Sequence, residues 1–379
     1  MYISRVVHVF YGDVVGDPFN SLELSLRQSK FDNCISLFTW NKENRRSYEL
    51  VNKNFKLYRL EGLNLALKPF FTEYPIIPQL DLMLEREKSE IIHAHSHLYL
   101  TTYEAMKTAE KLGIPSVVTV HGVSVERNIA VNLLQKLYLL SLGTRIFKSS
   151  TRIVCLTRSD AKQVIRLGCP ATKIRIIPNP VDALMFKPHP KKEQDNLVIW
   201  IGRFVPEKGL EYLLGAAKQV QSRVNDVKFI LVGDGPLRNE LEYLIKDMGL
   251  SKIVSLIGPL EHNEVAGMLA KASIFVFPSI KEGMSRAVLE AMSTGKAVVA
   301  SNIPGMDEII ENGFNGVLVQ PKNANALGDA IIALLNDKKL RNRLGRNARM
   351  TILKFFTWKS HLSQLAGVYK AAIEECENH

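Results

Sequence analysis

Apolar residues along this chain follow two alternating rhythms. Short runs rich in β-branched and aromatic residues predict strands at Val6–Phe10, Cys34–Phe38, Phe55–Leu60, Glu90–Ala94, Ser116–Val120, Arg152–Leu156 and Lys173–Ile177. Between them, apolar positions recur three and four residues apart over Ile76–Lys88, Leu98–Leu112, Ile129–Phe147 and Ser159–Leu167, the period of a helix with one buried face. Strand and helix alternating at this spacing predict an α/β fold with a parallel, doubly wound sheet, whose ligands gather at the carboxyl ends of the strands. The pattern breaks at Ile177-Pro178-Asn179-Pro180-Val181-Asp182 and again over Lys187–Asp195, where proline and charge cluster as in a linker. It restarts with strands at Leu197–Ile201, Lys228–Val232, Ile253–Ile257, Ile274–Phe277, Ala297–Ala300 and Gly316–Val319. The boundaries expected are therefore an N-terminal domain 1–182, a linker 183–195, a C-terminal domain 196–357 and a last amphipathic helix over 358–379.

The length of 379 residues suits two or three domains, and an apolar fraction of 46% suits a soluble globular chain. Cys34, Cys155, Cys169 and Cys376 form no Cys-x-x-Cys pair, which predicts reduced thiols in a cytoplasmic protein rather than a disulfide frame or zinc site. Met1–Arg5 runs straight into a strand, which predicts no signal peptide, and no apolar run approaches the ~20 residues that span a bilayer. The net charge of +11 is uneven: residues 1–190 hold 25 Lys/Arg against 17 Asp/Glu, and residues 191–379 hold 24 against 21. Nine basic residues and a single acid, Asp160, lie between Lys136 and Arg175. Such a patch meets an anionic membrane surface or a phosphorylated substrate, or is a solvated face; no nucleic-acid motif accompanies it. Within it, Ile129–Phe147 carries Leu133, Leu134, Leu137, Tyr138, Leu140 and Leu142 among Lys136, Arg145 and Lys148. That composition fits either an interfacial helix or, as is commoner, a buried helix with a basic rim.

Chemistry concentrates in the loops after strands. Glu282-Gly283-Met284-Ser285-Arg286-Ala287-Val288-Leu289-Glu290 joins the strand ending at Phe277 to a helix that stops at Gly295. A glycine turn and a helix start offer backbone N–H groups and a positive dipole end to an anion. Arg286 in the first turn opposes that dipole, so it either serves a bound anion or pairs with Glu290 four residues on. Gly202-Arg203-Phe204-Val205-Pro206-Glu207-Lys208-Gly209 places two cations on a glycine-bounded loop, suited to two phosphates, with an Arg203–Glu207 surface contact as the plainer alternative. The Walker A ending and the GxGxxG fingerprint are both absent. Gly233-Asp234-Gly235-Pro236 and Gly258-Pro259-Leu260 read as turns. Gly12-Asp13-Val14-Val15-Gly16 after the first strand suits close backbone approach to a ligand. His93, His95 and His97 alternate on one strand end, as metal ligands, cleft lining or packed residues; no local carboxylate or cysteine supports the metal. His121-Gly122 ends another strand, where the imidazole points to a cleft or is structural.

Taken in order, Gly202-Arg203…Lys208-Gly209, Val232-Gly233-Asp234-Gly235-Pro236 and the Glu-x7-Glu spacing of Glu282 and Glu290 resemble the retaining GT-B glycosyltransferases of the glycosyltransferase family 4 type. Asn179-Pro180-Val181-Asp182, Glu308 within Gly305–Ile310, and Asn312-Gly313…Gly316–Val319 match as well. The resemblance is dense from Ile174 to Ile332 and thin from Tyr11 to Glu90. It implies two Rossmann-like domains facing across a cleft, with the last helix crossing back to the N-terminal domain. It further implies a metal-independent, retaining transfer of a hexose from a nucleotide-diphosphate-sugar to a hydroxyl acceptor, a lipid or lipid-linked glycan being the class that the basic N-terminal half suits. The nucleotide-sugar is then a co-substrate and no cofactor is expected. By position, Arg203 and Lys208 neutralise the diphosphate, Glu282 holds the sugar hydroxyls, Glu290 the ribose, and backbone N–H groups of Gly283, Met284 and Ser285 the sugar and phosphate. His121 matches the family's cleft histidine near the reacting centre. Gly16 matches the second glycine of a diphosphate-approaching pair whose first member here is Val15. Gly202, Gly258 and Leu289 complete the implied donor contacts. Epimerase, phosphorylase or non-catalytic nucleotide-sugar binding on the same fold remain the alternatives, and peripheral seating on the inner membrane face is left open.

Overall fold

Each apolar run predicted as a strand lies in one of two parallel sheets of the computed structural model, which describes residues 1–9, 17–31, 33–65, 74–123, 129–189 and 193–378. The chain divides into two compact units, Met1–Ile177 with Leu362–His379, and Pro178–His361. In the first unit the strands are β1 (Tyr2–Val9), β2 (Cys34–Trp40), β3 (Ser47–Asn52), β4 (Phe55–Leu60), β5 (Leu63–Asn64), β6 (Pro75–Ile76), β7 (Ile91–His95), β8 (Ser116–Val120), β9 (Arg152–Cys155) and β10 (Ile174–Ile176). Eight of them form one sheet in the order β10-β9-β8-β7-β1-β2-β4-β3, parallel except for β3, and β5 pairs with β6. In the second unit β11 (Leu197–Ile201), β12 (Lys228–Val232), β13 (Val254–Ile257), β14 (Ile274–Phe277), β15 (Ala297–Ser301) and β16 (Val317–Val319) form an all-parallel sheet in the order β13-β12-β11-β14-β15-β16. The central strands are buried on both faces, which is why they read as continuous apolar runs rather than alternating ones. Both sheets reverse direction of strand order beside their first strand, so the loops following it and its neighbours open at one edge.

Four departures from the sequence expectation have physical causes. The helix expected from Ile76 begins at Leu80, because Pro75 and Pro78 hold the preceding backbone extended and Ile76 pairs as a strand. β3 went unread because it is an edge hairpin strand whose Tyr48 and Leu50 are exposed. The helix Asp17–Gln28 also went unread. It buries Ser21, Leu24, Ser25 and Gln28, which have helical spacing but are mostly polar. The reason is Arg5 on β1, fully buried, whose guanidinium donates to Ser25 Oγ (2.6 Å) and Gln28 Oε1 (2.6 Å). Finally, Ile129–Phe147 is one helical stretch interrupted by a π turn at Leu139–Gly143, and its leucines do not form a buried face: Leu133, Leu134, Leu137 and Leu140 are exposed.

The segment expected as a linker over 183–195 is packed onto the second unit where it is described. Phe186 is fully buried, and its carbonyl accepts from Arg349 (2.8 Å) and from Ser293 Oγ (2.6 Å). Arg349 also reaches the carbonyls of Ser293 (2.8 Å) and Ala183 (2.9 Å). The last helix, Trp358–Glu377, begins in the second unit and ends in the first. There Tyr369 accepts from Arg5 (3.1 Å) and is bonded to His93 Nδ1 (2.7 Å). Burial lowers the Arg5 pKa, and the Tyr369 oxygen partly offsets that. Tyr369→Phe leaves a buried cation short of an acceptor, so it should cost about 1–3 kcal/mol in urea unfolding, against a negligible effect of Tyr48→Phe on the exposed edge.

Candidate functional site

Loops at the carboxyl ends of β11, β12, β13 and β14 carry nearly every donor residue expected in the second unit. After β11, Gly202 lies so close to Trp200 and Gly233 that a Cβ added to Gly233 would stand 1.9 Å from the Gly202 carbonyl oxygen. Phe204 is fully buried, packs on Trp200 (5.7 Å between centroids) and donates its N–H to the Asp234 carbonyl (2.8 Å). Anchored on either side, Arg203 projects outward, exposed, and among the described residues no side chain is bonded to it; the Arg203–Glu207 contact does not form. Gly209 adopts φ +61° and a Cβ there would meet the Pro278 carbonyl at 2.4 Å. That approach, with the Ile280 N–H to Glu207 carbonyl bond (2.9 Å), lays the β11 loop on the β14 loop. Lys208 Nζ thereby meets the Glu282 carboxylate and stands 5.3 Å from the Phe277 ring centroid.

Ser285 caps the following helix, Arg286–Ser293, its Oγ accepting from the Val288 N–H (3.4 Å). The N–H groups before Val288 have no intrahelical carbonyl to bond, and a helix start of this kind suits an anion. Met284 is buried and its sulfur accepts the Asn179 N–H (3.1 Å). Leu289 is fully buried, so its side chain packs beneath the loop and offers no surface to a donor. Glu290 is buried as well, and its Oε1 accepts from His262 Nε2 (2.9 Å) and faces Arg286 (3.5 Å). Of the two readings of Arg286, the pair with Glu290 is the one the structure shows. His262 packs tilted against Phe186 (4.9 Å between centroids) and opens the helix His262–Lys271 with a Glu261–Glu264 capping box. Neither His262 nor Phe186 carried a sequence signal beyond that box. Gly258, exposed after β13, has open space where a side chain would be.

Two family models account for most of the chain: "Glycosyltransferase Family 4" matches residues 35–183 and "Glycosyl transferases group 1" matches 182–351. A galactosyltransferase of Escherichia coli, the UDP-Gal:alpha-D-GlcNAc-diphosphoundecaprenol alpha-1,3-galactosyltransferase, is 32% identical over 303 residues, 76% of either chain. The chain belongs to the family 4 glycosyltransferases. A human phosphatidylinositol N-acetylglucosaminyltransferase chain is 26% identical to this glycosyltransferase, over 97% of the present protein and 75% of the human one. In fold it is similar to the sucrose-phosphate synthase of Thermosynechococcus elongatus, with a TM-score of 0.80 at 20% identity, covering 97% and 98% of the two chains. Its architecture is GT-B, with two Rossmann-like domains.

The expected first-unit residues divide. Gly16 and the rest of the Gly12–Gly16 loop lie outside the described residues. His121 follows β8 and its Nε2 is 3.1 Å from His95 Nδ1. Of the three alternating histidines, two stay together and one turns away. His93 is buried between Tyr369 and Thr119, while His95 stacks between His93 and His121. Ser96 takes φ +66°, which ends the alternation and turns His97 onto Phe147, with its Nε2 donating to the Val123 carbonyl (3.2 Å). Among the described residues, no three His, Cys, Asp or Glu side chains group as metal ligands. His8, which sequence reasoning passed over, stacks face to face on Tyr99 at 3.4 Å.

Burial pushes His8 down to about 3, with the nearby His121 adding to the shift, and burial pushes His97 down to about 4. Both therefore fold neutral. A base whose folded pKa lies below its unfolded value gives its full stability above the unfolded value of ~6.5 and loses it as pH falls toward the folded one. Stability should drop by about 2 kcal/mol per buried histidine between pH 7 and pH 5. Chemical unfolding at the two pH values checks this, and His97→Gln should flatten the slope by one histidine's share.

Proposed function

We propose that this glycosyltransferase moves a hexose from a nucleotide-diphosphate-sugar to a hydroxyl of a lipid or lipid-linked glycan, with retention at the anomeric carbon and without a metal, while seated peripherally on the cytoplasmic face of a membrane. The observation that carries the reading is the meeting of Lys208, Glu282 and a helix start on one edge, with the exposed Arg203 on the same loop as Lys208. Cleaving a sugar–diphosphate bond builds negative charge on the leaving phosphate. Lys208 is held ready by Glu282, and a bound diphosphate draws it away. The carboxylate is then left to accept from sugar hydroxyls, while Arg203 and the N–H groups of Gly283 to Ser285 complete the anion's shell.

Glu290, oriented by His262 and Arg286, accepts from the ribose hydroxyls. The acceptor oxygen attacks the anomeric carbon on the face the diphosphate leaves. The bonding pair departs with the phosphate, and the acceptor proton passes to a phosphate oxygen. His121, on the first unit, serves the reacting sugar, and that unit, Met1–Ile177 with Leu362–His379, takes the acceptor. The relatives' names support the acceptor class: one acts on a diphosphoundecaprenol-linked sugar and another is named for phosphatidylinositol.

Thermal unfolding with UDP-, GDP- and ADP-sugars identifies the base, because a donor at 100 times its Kd adds about 2.7 kcal/mol of stability. With that donor and a membrane extract as acceptor, Lys208→Ala should lower kcat by about 10²–10³-fold. Glu290→Ala should instead weaken donor affinity by about 10–100-fold with a smaller change in kcat. Turnover should survive EDTA, and the product should carry the donor's anomeric configuration. Loss of activity on chelation, or an inverted product, refutes the corresponding part of the mechanism.

A further inference from the structure

The helix Ile129–Tyr138 and its π turn leave an apolar stripe in solvent: Leu133, Leu134, Leu137 and Leu140 are 57, 49, 56 and 58% exposed. Spaced by one, four and seven residues, they share one face, while Gln135 and Leu139 point into the unit. Lys136, Arg145 and Lys148 are exposed along the same stretch, and no acid occurs from Ile129 to Ser159. The next acid, Asp160, is buried against Thr157. Thr144 Oγ1 donates to the Leu167 carbonyl (3.3 Å), which brings the end of the helix Arg158–Arg166 alongside, with Lys162 and Arg166 exposed. Lys173 bonds the Lys148 and Ser150 carbonyls (2.7 and 2.8 Å), adding a further cation. The stripe also borders the histidines of the first unit, since Tyr138 OH donates to the His97 carbonyl (3.2 Å).

We infer that this face is the surface by which the first unit docks on an anionic lipid bilayer, the leucines entering the acyl boundary and the cations meeting lipid phosphates. Its chemistry matches a bilayer better than a protein. A leucine stripe inside a Lys/Arg rim is a make-up found in interfacial helices, whereas protein hot spots favour Trp, Tyr and Arg and under-use Leu. Among the described residues no helix is long and apolar enough to cross a membrane, so a surface contact of this kind is the attachment these elements provide. The inference deepens the reading of a membrane-borne acceptor and rests on it only for its purpose.

Flotation of the full chain with vesicles tests it, and because neither donor nor acceptor is present, failure here is distinct from failure of transfer. The protein should float with phosphatidylcholine vesicles containing phosphatidylglycerol, remain below with phosphatidylcholine alone, and be released about tenfold or more by high salt. L133S/L137S/L140S should lose flotation at every salt concentration, and K136E/R145E/K148E should lose the response to phosphatidylglycerol. Both should keep the parent's unfolding temperature, since the altered side chains are exposed. Leu137→Trp should shift its emission to shorter wavelength on phosphatidylglycerol vesicles. Absence of flotation at low salt, an unmoved Leu137→Trp spectrum, or a leucine variant that floats as the parent does overturns the inference. So does one that changes only the oligomeric mass, the sign of a second copy on this face.

Discussion

Two backbone approaches too close for a Cβ hold the loops after β11, β12 and β14 in place. Gly233 presses on the Gly202 carbonyl, and Gly209 on that of Pro278. The first pins the β11 loop to its β12 neighbour and the second pins it to the β14 loop, leaving Lys208 with Glu282 as its counterion. Because loops that order on binding cost free energy at that moment, a cation already placed by packing contributes more of its interaction to the reaction. The Lys208–Glu282 pair has the further effect of balancing each partly buried charge with the other.

The parallel strands of the second unit were legible because burial on both faces leaves unbroken apolar runs, and its charged loops because glycine brackets them. The Arg203–Lys208 loop and the Glu282–Glu290 segment were each legible from spacing, and the family resemblance joined them into one set, while His262 and Phe186, which complete the surroundings of Glu290, carried no such signal. A histidine at a helix start and a phenylalanine in a proline-rich segment look the same whether or not a carboxylate lies above them; only the fold brings residues 186, 262 and 290 together. Leu289 is the opposite case of scale: a position inside a motif whose side chain packs below it.

The first unit was harder to read because its burial is partly polar. Ser21, Ser25 and Gln28 keep the spacing of a buried helix face but none of its hydrophobicity, since that face solvates Arg5. The leucine helix failed in the other direction. Its periodicity is that of a core helix, and nothing in periodicity says on which side the apolar face ends up. The His93–His97 run looked like alternation, and it holds for His93 and His95, which stack, while a single residue of positive φ, Ser96, turned His97 away from them.

Arg5 lies at the start of the chain and Tyr369 near its end, and they are bonded to one another. During synthesis the first unit emerges long before residue 369, so its central strand carries a buried cation that is still missing an acceptor while the whole second unit is being made. N-terminal units ordinarily finish folding first. Here the order is inverted: Arg5 gains its Tyr369 acceptor only once the helix Trp358–Glu377 has left the ribosome, and a chain cut short before Tyr369 lacks that acceptor in a unit more than 190 residues upstream of the cut.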